Sequence, residues 1–287
     1  MSAMKKKAPD QSGTLTLREQ RAMLCENMNF AAAEAYKHIR TNLVFALPDQ
    51  EKCRIVGVTS SFRGEGKSTT AINLAYTLAE TGKMVLLIDA DMRMPTVAKK
   101  LASTAKPGLS NVLAGFCTAD KACSPSYLID NWHIMPAGDI PPNPSELLGS
   151  EQMGKLMREL SETYDFIVMD LPPVNIVADP LVVSQWISGM VLVVRAGYTD
   201  KRMLTECMRN LSVLGSKLLG FVVADTVQAS KRYGTYKSKY SRYDRYSKYS
   251  AYAYGAKKSG RRAETKTVDT VRQTVEQVVK ENTQKSE

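Results

Sequence analysis

Histidine is nearly missing from this 287-residue chain, which has two, His38 and His133. Two imidazoles are too few for a His-based metal centre, so any metal is expected to be an oxygen-bound Mg²⁺. The five cysteines (25, 53, 117, 123, 207) form no C-x-x-C pair. Disulfide frameworks and zinc sites are therefore set aside in favour of reduced thiols. Long apolar runs are lacking as well: the longest, near Met84–Ile88 and Met190–Val194, are strand-sized and well short of a bilayer span. The start, Met1–Pro9, is a lysine cluster without an apolar core. No signal peptide is expected, and the chain is read as cytoplasmic.

Acidic residues are scarce in one place. Between Lys231 and Arg262 there are eleven basic residues and a single acid, Asp244, so this segment accounts for the whole formal charge of +10. Leu, Ile and Val are absent from Ala229 to Gly260. No core can form there, and disorder is expected.

What is present centres on Val58-Thr59-Ser60-Ser61-Phe62-Arg63-Gly64-Glu65-Gly66-Lys67-Ser68-Thr69-Thr70. The β-branched run Arg54–Val58 before it predicts a buried strand. Apolar residues at helical spacing through Ala79 predict a helix after it. Strand, Gly-rich turn and helix opening on Gly-Lys-Ser is the setting of a phosphate-binding loop. Backbone N–H groups and the helix dipole face the anion, and Gly64 and Gly66 let the backbone come close. Glu65 and Thr69 belong to the same cradle, Lys67 would reach the β/γ-phosphates, and the Ser68 hydroxyl would ligate Mg²⁺. Ser61 stands where the general pattern has its first Gly.

Lys83–Ile88 predicts a second strand, delivering Asp89 and Asp91, with Arg93 just beyond. Phe166–Met169 predicts another, delivering Asp170 in a Walker-B arrangement that can hold Mg²⁺ or its water. Carboxylates at strand C-termini lie on the edge where open parallel sheets bind ligands. A helix is expected over 30–47, closed by Pro48 and packing through Ile39, Leu43, Val44 and Phe45. Ser145 or Asn143 is expected to cap a helix after Pro141-Pro142-Asn143-Pro144. Val191–Arg195, a helix over 200–214 and Leu218–Ala224 complete the pattern. The expected fold is α/β, three-layered, with a mostly parallel sheet covered by helices on both faces and a flexible C-terminal tail. The domain plan is a loose arm over 1–28, a nucleotide-binding domain over 29–228, the basic tail over 229–262 and a short extension over 263–287. Val268, Val271, Val275, Val278 and Val279 predict an amphipathic helix in that extension.

Tyr233, Tyr236, Tyr240, Tyr243, Tyr246, Tyr249, Tyr252 and Tyr254 are eight of the thirteen tyrosines, within 22 residues. Alone, such a tail fits a helical face, a single-stranded nucleic-acid binder, an anionic-lipid adsorber or a phosphorylation substrate. Beside a triphosphate cradle the last reading is favoured, because the chain then carries both reactants of a phosphoryl transfer. A phenol with pKa near ~10 needs a base, and Asp89 or Asp91 is placed to serve.

These features together resemble the bacterial tyrosine kinases of capsular and exopolysaccharide synthesis. The resemblance rests on S-F-R-G-E-G-K-S, V-L-L-I-D-A-D-M-R-M-P, P-A-G-x-x-P-P-N-P-S-E-L-L, F-I-V-M-D-L-P-P and the terminal tyrosines. It implies a P-loop NTPase fold, ATP and Mg²⁺ as cofactors, and phosphorylation of the cluster in trans. Lys67, Asp89, Asp91 and Asp170 would be catalytic, with metal held by Ser68, Asp89 and Asp170. Nucleotide contacts would include Arg93 and Asp225, the latter where Asn is common in the family. A ring-like homo-oligomer is implied through an E-x-x-R-x-x-R helix, matched by Glu34, Lys37 and Arg40. Lys37 replaces the middle Arg and cannot reproduce its bidentate contact. A membrane-anchored activator would recruit the chain to the plasma membrane's inner face, and other protein tyrosines would be substrates. No nucleic acid is expected. The competing expectation is a positioning or partition ATPase of the same superfamily, whose early loop lysine is Phe62 here.

Overall fold

The structure, a computed structural model, describes residues 24–48 and 52–225. Seven strands form one sheet in the order β3-β4-β2-β5-β1-β6-β7. They are β1 (Arg54–Ser60), β2 (Val85–Asp89), β3 (Ser124–Pro125), β4 (Trp132–Met135), β5 (Phe166–Asp170), β6 (Gly189–Arg195) and β7 (Leu218–Ala224). All pair in parallel except β3, which runs antiparallel to β4.

Alternation along the central strands feeds two cores. Leu86, Ile88, Ile167, Met169, Leu192 and Val194 face one, while Val56, Val58, Leu87, Val168, Val191 and Val193 face the other. A sheet covered on both faces explains why these strands read as unbroken apolar runs. The register sets Asp89 opposite Asp170, and Asp170 opposite Val58. Strand pairing alone thus brings the acidic tips level with the loop that leaves β1.

Helix α1 (Phe30–Ala46) starts where the Asn29 side chain accepts from the Ala32 amide. Within it Leu43 is buried, but Phe45, expected in the core, is 85% exposed. Helix α2 (Lys67–Ala79) follows the loop and is buried along most of its length. Short helices α3 (Val97–Leu101), α4 (Leu109–Leu113) and α5 (Ala119–Ala122) lead to β3. Helices α6 (Pro144–Gly149) and α7 (Glu151–Thr163) precede β5, and α8 (Asp179–Val183) precedes β6. Helix α9 (Lys201–Leu211) is capped by Asp200 and passes into a 3₁₀ stretch, Ser212–Lys217, rather than running to 214 as α-helix.

Two expectations are corrected locally. Neither Asn143 nor Ser145 caps α6 through its side chain. Asn143 donates instead to Glu146 Oε2, and Ser145 to Asp179 Oδ1. Residues 24–28, placed in the loose arm, are anchored: Leu24 and Cys25 are buried against α2, and the Cys25 amide donates to Asn73 Oδ1 at 2.8 Å. Residues 226–287, with all eight clustered tyrosines and the valines of the extension, lie outside the described residues.

Leu24→Ala is expected to lower unfolding free energy by about 2–3 kcal/mol in denaturant titration, the usual cost of emptying a buried leucine site. An unchanged midpoint and slope would mean that this segment does not belong to the core.

Candidate functional site

The loop from Ser61 to Gly66 is held by one inward-turned acid. Glu65 is 1% exposed. Its carboxylate accepts from Ser61 Oγ at 2.8 and 2.9 Å, from the Phe62 amide at 2.7 Å, and from Thr199 Oγ1. Ser61, the departure from the general loop pattern, therefore supplies a hydroxyl to this buried acid. Gly64 and Gly66 have φ of 80° and 97°, left-handed conformations that favour glycine. Gly66 is the N-cap of α2 and its carbonyl accepts from Thr70 N. The first-turn amides are thereby presented to an anion.

From outside, the last residue of β6 and those just after it clasp the same loop. Arg195 pairs with Asp225 through Nε (3.0 Å) and Nη2 (2.9 Å), and its Nη1 donates to the Gly64 carbonyl at 3.2 Å. Tyr198 Oη donates to the Arg63 carbonyl at 3.1 Å. Arg195, Tyr198 and Thr199 carried no sequence signal, because each acts on residues more than 130 positions away.

Inside the cradle, Lys67 Nζ lies 2.8 Å from Asp91 Oδ2 and 3.3 Å from Asp170 Oδ1. Burial opposes its charge, but Asp170, Asp91 and Asp89 together hold the ammonium pKa above its ordinary value. The acids are not equivalent. Asp89 accepts from the Thr96 and Val97 amides at 3.0 Å each and from the Asp91 amide at 3.2 Å, so it anchors the turn that follows β2. Burial first, then the Asp170 charge, pushes its pKa up to about 7 against the Val97 N–H and Lys67. Asp170 is raised by burial and opposed by Lys67 and Ser68. Its Oδ2 is buried without a hydrogen-bond partner. Ser68 Oγ lies 2.9 Å from Thr96 Oγ1 and 3.3 Å from Lys67 Nζ. An unpaired carboxylate oxygen beside a serine hydroxyl fits a hard cation that also draws on phosphate and water oxygens. Among the described residues no cluster of three His, Cys, Asp or Glu side chains is arranged to hold a metal unaided.

The other expected residues have partners of their own. Thr69 Oγ1 accepts from Lys100 Nζ at 3.3 Å. Arg93 is clasped by buried Asp179, Nε to Oδ2 at 2.8 Å and Nη2 to Oδ1 at 3.0 Å, and Ser145 bridges the two. Glu34 and Lys37 pair with each other on α1, while Arg40 donates to the Thr77 carbonyl at 2.6 Å. No helix among the described residues is long and apolar enough to cross a membrane.

Known proteins share this construction. Residues 53–194 match a family model described as an AAA domain. The chain is 39% identical over 208 residues to the tyrosine-protein kinase YwqD of Bacillus subtilis (strain 168), covering 72% of this chain and 87% of that one. The structure of the chimerical protein CapA2B2 superposes with a TM-score of 0.66 at 33% identity, covering 71% of this chain and 89% of the other. The septum site-determining protein MinD of Pyrococcus horikoshii OT3, solved with Mg-ADP, aligns at 25% identity and a TM-score of 0.50 over 60% of this chain and 70% of its own.

Two outcomes follow from the loop and its acids. Glu65→Ala is expected to weaken nucleotide binding about tenfold by calorimetry, since three donors lose a charged acceptor. Equal affinity would show that the brace is dispensable. For Asp89 the raised folded pKa fixes the sign. Between the ordinary carboxylate value near ~4 and about 7, the folded chain keeps a proton that the unfolded chain has released. Stability without Mg²⁺ or nucleotide therefore falls as pH rises through that window and levels off above it. Melting curves of Asp89→Asn should be flatter there, and parallel profiles for the two proteins would refute the assignment.

Proposed function

The chain belongs to the bacterial tyrosine-protein kinases, and from that premise we propose that it phosphorylates the tyrosines at positions 233–254 of a neighbouring copy. In this reading it controls capsular or exopolysaccharide synthesis and export. The observation that supports it most directly is the Lys67–Asp91–Asp170 constellation, with Asp170 Oδ2 buried and unpartnered, beside the strand–loop–helix cradle.

Bound Mg-ATP supplies the transferable phosphoryl group and the metal that offsets its charge. The chain's residues do the rest. The backbone of Gly64, Glu65 and Gly66 and the α2 first turn through Thr69 receive the phosphates, Lys67 neutralises them, and Ser68 and Asp170 hold the metal. Asp91 accepts the phenol proton: Asp89 spends its oxygens on three amides, and Asp170 is fully enclosed. Asp89 supports the metal site from behind by fixing the turn. Arg93 steadies the same turn through Asp179. Asp225 keeps Oδ1 outside its ion pair for the base.

Glu34, Lys37 and Arg40 contribute to a ring-like assembly in this reading, and a membrane-anchored activator brings the chain to the inner face of the membrane. Each phosphotyrosine adds about −1.5 to −2, so a fully modified cluster reverses the tail's positive charge. That change loosens whatever acidic or lipid surface the tail had engaged.

Incubation with Mg-ATP and the activator's cytoplasmic segment, followed by mass spectrometry of residues 231–256, checks the reading. Wild type is expected to carry phosphotyrosine there and Lys67→Met none. Brisk ATP hydrolysis with an unmodified tail would point instead to a nucleotide-driven switch.

A further inference from the structure

Five tyrosines lie outside the terminal cluster: Tyr36, Tyr76, Tyr127, Tyr164 and Tyr198. Three are committed to packing or internal hydrogen bonds. Tyr36 meets Asn73 and Thr70, Tyr76 packs edge-on to Trp132, and Tyr164 Oη lies 2.7 Å from His133 Nδ1. Tyr127 and Tyr198 are 76% and 50% exposed. Of these two, Tyr198 touches the phosphate-binding loop.

Its surroundings suit a phosphate. The Arg195 guanidinium carbon sits 5.3 Å from the ring centroid. Arg63, whose carbonyl accepts the Tyr198 hydroxyl, has an exposed side chain. The same Arg195 holds Asp225 and the Gly64 carbonyl. A phosphoryl group on Tyr198 would remove the O–H that grips Arg63. It would also set a doubly charged anion against Arg195 in competition with the singly charged Asp225, because guanidinium pairs bidentately with phosphate as it does with carboxylate.

We propose that Tyr198 is a second phosphoacceptor of this kinase, and that its modification slackens the phosphate-binding loop and lowers nucleotide affinity. The inference rests on the trans reaction of the preceding section. The phenol oxygen of one copy bonds to the γ-phosphorus held by another, the bond from that phosphorus to the β-bridging oxygen breaks, and ADP leaves. The phenol proton passes to the donor copy's Asp91 and on to water. The result is a brake: turnover in the assembly loosens the cradle that sustains it.

The test uses the full chain with Mg-ATP and the activator's cytoplasmic segment. Trypsin cuts after Arg195 and Lys201, isolating Tyr198 in the peptide 196–201. That peptide is expected to gain one phosphoryl group in wild type and none in Lys67→Met. ADP affinity, measured before and after the incubation, should fall about tenfold in wild type and be the same before and after in Tyr198→Phe, whatever that variant's starting affinity. Phosphate on the tail with peptide 196–201 untouched would overturn this inference alone, as would equal affinity changes in the two proteins. Phosphate at neither place would remove the trans reaction and this inference together.

Discussion

One ammonium shared among three carboxylates organises the centre of this molecule. Lys67, Asp91 and Asp170 meet within 3.3 Å in a space almost closed to water, with Asp89 opposite Asp170 in the sheet. Burial opposes the charges of Lys67, Asp89 and Asp170, and attraction between Lys67 and its carboxylates offsets part of that cost. Withdrawing the lysine toward a polyanion leaves the acids short of positive charge. A divalent cation arriving with that polyanion restores the balance. The cluster is therefore suited to accept metal and phosphate together rather than either alone.

Much of this was legible in the sequence, and the physical reason is proximity along the chain. A buried parallel strand announces itself as an apolar run, and its last residue is fixed in place by the sheet. Asp89, Asp91 and Asp170 could therefore be assigned to one edge from their positions alone. Gly64, Gly66, Lys67 and Ser68 sit on a strand–turn–helix junction whose geometry is local. The mostly parallel sheet, the two-sided core and the helix on Lys67 follow from the same periodicities, whereas the two-residue β3 carried none.

What stayed hidden depends on long-range pairing. Glu65 read as a cradle residue, yet its carboxylate turns inward to Ser61 and Thr199. Arg93 gave no local sign that buried Asp179 on α8 would clasp it, or that Ser145, expected as a helix cap, would complete that grip. Nothing in local composition says which of several exposed-looking polar residues will find a buried partner 86 or 134 positions away. Phe45 shows the converse: it was expected inward, yet two positions from buried Leu43 is a rotation of roughly 200°, which puts it on the outer face of α1.

The far edge of the sheet carries a quieter consequence. Strand β3 is two residues long, and one of them, Pro125, has no amide hydrogen to offer. A foreign extended segment would find almost no ladder to zip onto along that border. Backbone stitching between copies of the chain is thus disfavoured along that border.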